Sequence, residues 1–443
     1  MTAPTKTRNG QSDPIATTPN RPMILRVLEE TGKARWLLAF GLIVVLLSIT
    51  EVASGTTDLA STGTWSTALA FAVPIMCAGL GGMYSERAGV VNIGLEGMLI
   101  LGTWFGAWGA FFWGPWGGIA AATIGGALGG LLHAVATVSY GVDHIISGVA
   151  INILAPGITR FLANELFVSD PEASFPQAGP GGSVTQSPNV QGVSSIDLPF
   201  LSGGWGTPDL LGALENTEWL FVSQAAGILR GMVTNLSLLT LLAWALIPLS
   251  AWVLWRTAFG LRLRSTGEHP AAADSLGVNV IKYKYIGVIA SGAFAGFGGG
   301  FLVIELTGIF KEGQTGGRGF IGLATMLVGN YRPTGVGIGA LLFGFTDTLQ
   351  LRDPSAAHGL LLLLAMIATL VTAYYVYKKS WIVAAVTTVL GVGFFGAYLF
   401  TDAVIPQFPP ALPFFAVLLL MIFAGGRLRM PATTGQPYRK GDH

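Results

Sequence analysis

Residues 84–98 read YSERAGVVNIGLEGM and place polar side chains between two long apolar runs. The stretch carries Glu86, Arg87, Asn92 and Glu96. The amide at position 92 and the carboxylate at position 96 have the spacing that puts two side chains on one face of a helix. An ionised carboxylate at membrane depth costs about 2.5–3.5 kcal/mol on insertion scales, so it normally faces a cavity or a partner. These two side chains therefore need a cavity or a partner within the apolar region.

The composition indicates a membrane protein. The chain has 443 residues, of which 51% are hydrophobic and 11% charged. A soluble domain has about 25% charged residues. Apolar runs of about 18 or more residues recur, as is typical of membrane-spanning helices. The 62 glycines suit spans that pack closely through small residues.

Three further features narrow the class of protein. Cys77 is the single cysteine, which excludes an internal disulfide framework and a cysteine-cluster metal site. The net charge is +1 and there is no basic block, so nothing points to a nucleic acid polymer as a partner. No G-x-x-x-x-G-K-[ST] phosphate loop occurs in the chain. If ATP drives this protein, another chain hydrolyses it.

The apolar runs predict an all-α polytopic membrane protein with about ten to twelve transmembrane helices. A shorter apolar piece at 319–331 is too brief for a full crossing. We expect it to form a half-helix or a broken crossing whose ends neighbouring helices bury. The other predicted spans lie near 36–54, 67–83, 90–113, 117–138, 145–166, 232–255, 285–307, 335–350, 358–377, 381–401 and 411–425.

Lysine and arginine are unevenly distributed among the hydrophilic segments, and this predicts the orientation. The segment 168–217 has several carboxylates but no lysine or arginine, so we interpret it as an external loop. The segment 256–284 is rich in both, so we place it in the cytoplasm with the N-terminal tail 1–35 and the C-terminal tail 427–443. Both termini are then cytoplasmic, on either side of a transmembrane domain at 36–426.

The cytoplasmic segment contains a short helix with start and stop signals. Pro270 opens the sequence PAAADSL and Gly277 follows it, an arrangement that brackets a helix of about two turns. A helix this short is not stable alone in water. Two interpretations stay open from these residues: a docking element for another protein, or a loop helix that lies on the membrane surface.

Several stretches carry a resemblance to a known family. They are SERAGVVNIGLEGMLILG at 85–102, HIISGVAINILAPGITRFL at 144–162, GLRLRSTGEHPAAADSLGV at 260–278, SGAFAGFGGGFLVIE at 291–305, GGRGFIGLATMLVGNYRPTG at 316–335, LLFGFTDTLQ at 341–350, and LPFFAVLLLMIFAGG to TGQPYRKG within 412–441. In order and spacing they resemble the permease subunits of bacterial ABC importers for simple sugars, nucleosides and branched-chain amino acids. The nucleoside branch, which is linked to basic membrane proteins, is the most similar. The resemblance covers most of 67–350 and the C-terminal end.

The resemblance implies a role for the cytoplasmic segment. In such permeases a Gly-Glu-x-Pro-x-Ala-Ala segment sits in a groove of the ATPase subunit. His269 stands here where the family usually has an amide residue. The residues that the resemblance assigns to ATPase coupling are Arg262, Arg264, Gly267, Glu268, Pro270, Ala272, Asp274 and Gly277.

The resemblance also implies a set of partners. It predicts a multi-pass permease subunit of the bacterial inner membrane, surrounded by lipid, with no cofactor and no ATPase site of its own. ATP and Mg²⁺ would bind a partner ABC ATPase subunit. A homologous second permease, or a second copy of this chain, would complete the pore. An extracytoplasmic substrate-binding lipoprotein would deliver the substrate.

The chain departs from the family pattern at 355–405. Family members usually reach their last span after a short connection, whereas here two further apolar spans intervene. Two added crossings keep the C-terminal end on the same side of the membrane. Nothing in their residues suggests chemistry, and we expect them to pack at the periphery or against a lipid or partner.

Four residues inside the apolar runs are candidates for the substrate path. Asn92 and Glu96 would offer an amide and an acceptor to hydroxyl-rich ligands. In the structural alternative, Glu96 lies near the headgroups, pairs with Arg87, or accepts backbone N–H groups at a helix broken by nearby glycines. Trp104 either stacks on a ring of the substrate or belongs to an interfacial aromatic belt. Asn152 either lines the path or holds helices together.

Other polar and small residues have structural expectations. Arg318 either anchors the half-helix or contacts the binding protein, and Asp347 lies near a span end. The small-xxx-small glycine pairs are expected to form helix contacts or closing gates. These pairs are Gly125 with Gly129, Gly126 with Gly130, and Gly292 with Gly296.

The predicted function is the permease subunit of an ATP-driven importer that carries nucleosides by alternating access. A permease for ribose- or galactose-type sugars is the first alternative. An ion-coupled secondary transporter that uses Glu96 as its coupling group is the second, although the coupling segment argues against it. An integral membrane enzyme would need clustered acids or histidines, but the five histidines are scattered and no H-E-x-x-H spacing occurs.

Overall fold

The computed structural model describes residues 34–168, 186–349, 351–352, 354–401, 404, 408, 411 and 429–439. Within them the two strands, β1 (Ser195–Ile196) and β2 (Leu236–Ser237), form one antiparallel ribbon, and the predicted all-α class is confirmed. The α-helices are α1 (Ala34–Ser54), α2 (Thr62–Arg87), α3 (Leu95–Ala134), α4 (His144–Ala163), α5 (Leu210–Glu215), α6 (Val222–Gly231), α7 (Leu238–Arg256), α8 (Ala258–Glu268), α9 (Pro270–Ser275), α10 (Val280–Phe301), α11 (Arg318–Val328), α12 (Pro333–Leu349), α13 (Pro354–Tyr377) and α14 (Trp381–Phe400).

Eight helices of the described part are long and apolar enough to cross a membrane, namely α1, α2, α3, α4, α7, α10, α13 and α14. Helix α12 is shorter, with 17 residues, and corresponds to the predicted span at 335–350. The polytopic architecture is therefore confirmed. The predicted span at 411–425 lies outside the described residues except for its first position, and the N-terminal tail 1–35 does so except for its last two.

Helix α3 consists of two antiparallel arms, which account for the predicted spans at 90–113 and 117–138. The chain reverses at Gly114, where φ is 70° and ψ is −179°, a backbone conformation that only glycine readily adopts. The arms pack through small residues, since a Cβ added at Gly118 would lie 2.7 Å from the Ala110 Cβ. The first arm begins at Leu95 and not near position 90, because the preceding residues form a non-helical break.

The centre of the molecule is formed by α2, α10 and the hairpin of α3. Glycines let α3 and α10 approach until their backbones touch. A Cβ added at Gly126 would lie 2.2 Å from the Gly292 carbonyl oxygen, and one added at Gly296 would lie 2.8 Å from the Gly126 Cα. These glycine pairs are therefore helix contacts, which is one of the two roles expected for them.

A broken element follows α10. A π-helical turn (Leu302–Thr307) extends α10, Gly308 has φ 70°, and residues 309–317 contain no helix. Helix α11 then begins at Arg318 and has only 11 residues. The predicted half-helix at 319–331 is confirmed, although it ends earlier, at Val328.

Of the segment 168–217, which is predicted as an external loop, the structure describes residue 168 and residues 186–217. This part contains β1 and the short helix α5, so it is more ordered in its secondary structure than the loop we expected. Arg230 of α6 bonds to Asp209 at 2.5 Å and to Glu215 at 2.9 Å. These ion pairs tie α5 and α6 together, and Glu215 also accepts a hydrogen bond from the Thr62 hydroxyl at the start of α2, at 2.8 Å.

Helices α13 and α14 form the additional hairpin expected at 355–405. The hydroxyls of Thr372 and Thr387 lie 2.8 Å apart between the two helices. The Tyr398 hydroxyl of α14 donates to the Ala53 carbonyl of α1 at 3.1 Å. The hairpin thus packs on α1, in an apolar cluster separate from the one around α2 and α10.

Candidate functional site

A non-helical break separates α2 from α3 and contains the first candidate residue. Gly89 has φ 84°, and residues 90–93 have no regular secondary structure. Asn92 therefore precedes α3 while Glu96 lies in its first turn, so the prediction that the two share one helical face is wrong. The physical reason is local: the Asn92 Oδ1 accepts from the Gly94 backbone N–H at 3.0 Å, which satisfies this N–H outside the helix.

Side chains from neighbouring helices satisfy the backbone of the break. The Val91 carbonyl accepts from His133 Nε2 at 2.9 Å, and the Val91 N–H donates to His144 Nδ1 at 3.2 Å. The Ile93 carbonyl accepts from Asn152 Nδ2 at 3.0 Å. Backbone polar groups without partners are costly at membrane depth, so non-helical chain there needs such donors and acceptors. Two of the five histidines that are scattered in the sequence, His133 and His144, thus meet at this break.

The predicted path residues Asn92 and Asn152 use their polar atoms within this network. Asn92 is fully buried, and its Nδ2 donates to the Ser291 hydroxyl of α10 at 2.9 Å. Asn152 also accepts from the Gly97 N–H at 2.8 Å, so it joins α4 to the start of α3. Both amides hold helices to the break in the described structure.

Glu96 caps the half-helix α11. Its Oε1 accepts from the Thr315 hydroxyl at 2.7 Å and from the Gly317 N–H at 3.0 Å, and its Oε2 accepts from the Gly319 N–H at 2.7 Å. A helix N-terminus has unpaired N–H groups and a partial positive charge, and a carboxylate satisfies both. A Cβ at Gly319 would lie 2.5 Å from the Glu96 Cα, so glycine permits this approach. The third structural alternative for Glu96, acceptance of backbone N–H groups at a broken helix, is what the structure shows.

Arg318, the first residue of α11, anchors this end of the half-helix. Its Nη2 lies 3.1 Å from Asp347 Oδ2 of α12, and its Nη1 donates to the Thr315 carbonyl at 3.2 Å. Both side chains of the ion pair are largely buried. The anchoring role expected for Arg318 is therefore observed.

The other end of α11 meets the end of α2. Arg87 Nη2 donates to the Tyr331 carbonyl at 3.0 Å, three residues beyond α11. The Arg87 guanidinium also lies 5.5 Å from the Trp255 ring centre and 5.8 Å from the Tyr331 ring centre, within cation–π range. Burial raises the pKa of the Tyr331 hydroxyl, and the adjacent Glu86 raises it further, so this hydroxyl stays protonated.

Glu268 of the predicted coupling segment reaches this cluster, and we call α8, α9 and the turn to Gly277 the coupling loop. Glu268 Oε1 lies 3.7 Å from Arg87 Nη1. Gly267 packs on the break itself, since a Cβ there would lie 2.4 Å from the Arg87 carbonyl oxygen. Arg264 lies over Trp255 at 5.5 Å. These three coupling residues therefore face the transmembrane domain.

The remaining predicted coupling residues lie on the outer side of the coupling loop. Pro270 is the first residue of α9 and Gly277 has φ 81° just past its end, so the bracketed two-turn helix is confirmed. Arg262, Ala272 and Gly277 are exposed, and Asp274 is half-buried. The loop thus has one face on the break and another open to a partner.

Trp104 lies in a packed aromatic cluster on the first arm of α3. It is 3% exposed, and its ring stacks on Phe167 at 5.8 Å and on Trp108 at 6.2 Å. A cavity of about 140 Å³ lies nearby, beyond Thr315. It is lined by Ile100, Thr103, Pro156, Thr159 and residues 310–315.

Sequence reasoning missed Tyr331 and Trp255 around Arg87, and Thr315 beside Glu96. The only local signal was the run of glycines around Thr315, at 313, 316 and 317. Among the residues that the structure describes, no group of His, Cys, Asp and Glu side chains could hold a metal ion.

Comparison with known proteins gives one family and several relatives. The family model described as "Branched-chain amino acid transport system / permease component" matches residues 64–352. This range contains the break, α11 and the coupling loop, but not α1, α13, α14 or the C-terminal segment. No solved structure matches the chain significantly.

Three relatives illustrate the similarity. The guanosine ABC transporter permease NupQ of Bacillus subtilis (strain 168) is 36% identical over 290 residues, which cover 64% of this chain and 80% of NupQ. The nucleoside ABC transporter permease NupC of Lactococcus lactis subsp. cremoris is 35% identical over 288 residues, covering 63% and 80%. The putative glucose ABC transporter permease TsgC13 of Haloferax volcanii is 32% identical over 298 residues, covering 65% and 77%.

Proposed function

The chain belongs to the family of branched-chain amino acid transport system permease components, and we propose that it carries nucleosides as the membrane subunit of an ABC importer. The observation that supports the substrate is its similarity to NupQ and NupC, at 36% and 35% identity. A sugar is the second candidate, because TsgC13 is 32% identical over a comparable length.

The driving force in this proposal comes from a partner. The chain has no phosphate-binding loop, so we propose that ATP and Mg²⁺ bind an ABC ATPase subunit and that this chain performs no covalent chemistry. The exposed face of the coupling loop, with Arg262, Ala272 and Gly277, is the surface that would meet the ATPase. An extracytoplasmic binding lipoprotein would deliver the substrate to the opposite side.

A series of contacts links the coupling loop, the end of α2, the break and both ends of α11. It supports a route by which the ATPase could act on the membrane interior. Glu268 contacts Arg87 at the end of α2. The chain then continues through the break to Glu96, which caps the start of α11. Helix α11 leads back to Tyr331, whose carbonyl bonds to Arg87. A movement of the coupling loop would therefore act on the break and on α11 together.

The four predicted path residues divide into three that hold the chain in position beside the substrate path and one, Trp104, that lies near a cavity. Asn92, Glu96 and Asn152 have partners for their polar groups, which supports a role in holding the break and α11 at the edge of the path. Trp104 packs among aromatic residues near the small cavity beyond Thr315. We propose that this cavity is where a hydroxylated substrate first meets the permease. A homologous chain or a second copy would complete the pore.

Uptake by the reconstituted complex tests the substrate. Proteoliposomes would contain this permease, its ATPase and its binding protein, with ATP supplied to the ATPase side. We expect uptake of labelled guanosine that unlabelled nucleosides inhibit and that ribose, galactose and glucose do not. Uptake that a sugar inhibits and nucleosides leave unchanged would contradict the nucleoside assignment and favour the sugar.

A further inference from the structure

Residues 429–439 lie against the coupling loop. The Thr433 backbone N–H and its hydroxyl both donate to the Gly267 carbonyl, at 3.0 and 2.7 Å. The Ala432 N–H donates to Glu268 Oε2 at 3.3 Å. The C-terminal segment is thus bonded to two of the residues predicted to couple the ATPase.

The same segment also contacts the break and the end of the half-helix. The Gly435 N–H donates to the Gly89 carbonyl at 3.3 Å. The Arg429 N–H donates to Asn330 Oδ1, beyond α11, at 2.7 Å. The segment therefore bridges three elements: the coupling loop, the break and α11.

The outer side of this assembly offers a surface for a partner. Leu276, at the end of α9, is 84% exposed, and Met430 is 56% exposed. An open cleft of about 410 Å³ lies between the end of α9 and Tyr438. Both parts also expose arginine, namely Arg262 on α8 and Arg429 and Arg439 on the segment.

We propose that residues 429–439 form part of the docking surface for the ATPase subunit, continuous with α8 and α9. The inference rests on the proposed function of the coupling loop. The partner that fits is an ATPase surface with an apolar pocket for Leu276, a side chain that enters the cleft beside Tyr438, and carboxylates that face the arginines. Through its bonds to Gly267 and Gly89, the segment holds the loop and the break together while the ATPase pushes on both.

Protection of single cysteines from a maleimide tests this inference. The natural Cys77 is buried, so its background reaction is low. Three single variants place a thiol at exposed positions: Gln436→Cys in the segment, Ser275→Cys on α9, and Lys378→Cys at the turn between α13 and α14 as a control. Their labelling rates are compared in the full complex and in the permease without the ATPase.

We expect the ATPase to slow labelling several-fold at positions 436 and 275 and to leave position 378 unchanged. If position 275 is protected while position 436 reacts at the same rate with and without the ATPase, the segment is not part of the interface. The proposed function would survive that result. If neither position is protected, the docking role of the coupling loop is wrong, and this inference is wrong with it.

Discussion

The Glu96 carboxylate accepts the backbone N–H of Gly319 at 2.7 Å, although the two residues are 223 positions apart in the chain. A residue that follows the break between α2 and α3 thereby caps the half-helix α11 inside the transmembrane domain. The relationship explains why a carboxylate belongs in an otherwise apolar region. It neutralises the N-terminus of α11, which begins beside the first turn of α3.

Glu96→Leu should destabilise the protein, because it leaves the buried N–H of Gly319 and the Thr315 hydroxyl without an acceptor. An unsatisfied buried polar group costs about 1–3 kcal/mol. Thermal unfolding in detergent, followed by the reaction of buried Cys77 with a thiol dye, would report the loss. Glu312→Leu is the matched control, because Glu312 is exposed and its ion pair with exposed Arg160 is long, at 3.9 Å. Equal melting temperatures for the two variants would contradict the capping role.

Glu96→Gln separates a capping role from ion coupling. The amide oxygen still accepts from two donors, so we expect a smaller loss of stability and ATP-dependent uptake that persists. A secondary transporter with Glu96 as its coupling group predicts instead that the pH dependence of uptake disappears in this variant. Uptake measured across pH with ATP held constant distinguishes the two, and a lost pH dependence would favour the transporter.

Glu268→Ala should uncouple transport from the ATPase, because it removes the contact with Arg87. A coupling free energy of about 1–3 kcal/mol corresponds to a loss of about 5- to 150-fold, and we expect ATP-dependent uptake to fall within this range. Arg264→Glu, which removes the cation–π contact with Trp255, should act in the same direction. Both permeases should still insert into the membrane. Normal coupling in both variants would show that the loop does not transmit the ATPase movement.

Asn152→Leu should weaken the link between α4 and the break. It leaves the Ile93 carbonyl and the Gly97 N–H without their partners, at a cost of about 1–3 kcal/mol for each group. Asn189→Leu, at an exposed position, provides the comparison. We expect a lower melting temperature for the first variant only, with ATPase binding retained in both. A stable Asn152→Leu protein would mean that water or another group satisfies the break.

Gly114→Ala tests the hairpin of α3. A non-glycine residue at φ 70° and ψ −179° is strained by about 1–3 kcal/mol, so this variant should unfold at a lower temperature. Gly393→Ala in α14 is the control, because an added Cβ there meets no atom within 4 Å. Alanine is favoured over glycine inside a helix by about 0.5–1 kcal/mol, so the control should be neutral or stabilising. The opposite order would argue against the reversal at Gly114.

Local signals in the sequence were enough for most helices. Apolar runs predicted the spans, the shortness of one run predicted the half-helix α11, and Pro270 with Gly277 predicted α9. Each of these features depends on residues that are neighbours in the chain. The reversal at Gly114 also depends on neighbouring residues, because it lies between the predicted spans at 90–113 and 117–138.

The nearby glycines suggested a broken helix as one alternative, but the partners that stabilise the break between α2 and α3 could not be predicted in the same way. The spacing of Asn92 and Glu96 suits a helix, and besides the local bond from the Gly94 N–H to Asn92 the non-helical chain depends on partners that are distant in the sequence. Val91 depends on His133 and His144, which are 42 and 53 positions away. Periodicity contains no information about such pairs, so it could not bring His133 and His144 to the break or decide between the two roles considered for Glu96.

Guanosine uptake by proteoliposomes with and without the ATPase subunit tests whether ATP drives transport through the coupling loop. We expect accumulation only when the ATPase and hydrolysable ATP are both present, and we expect Glu268→Ala to reduce it while the ATPase stays bound. Uptake at the full rate without the ATPase would contradict the claim that the coupling loop drives the break and the half-helix.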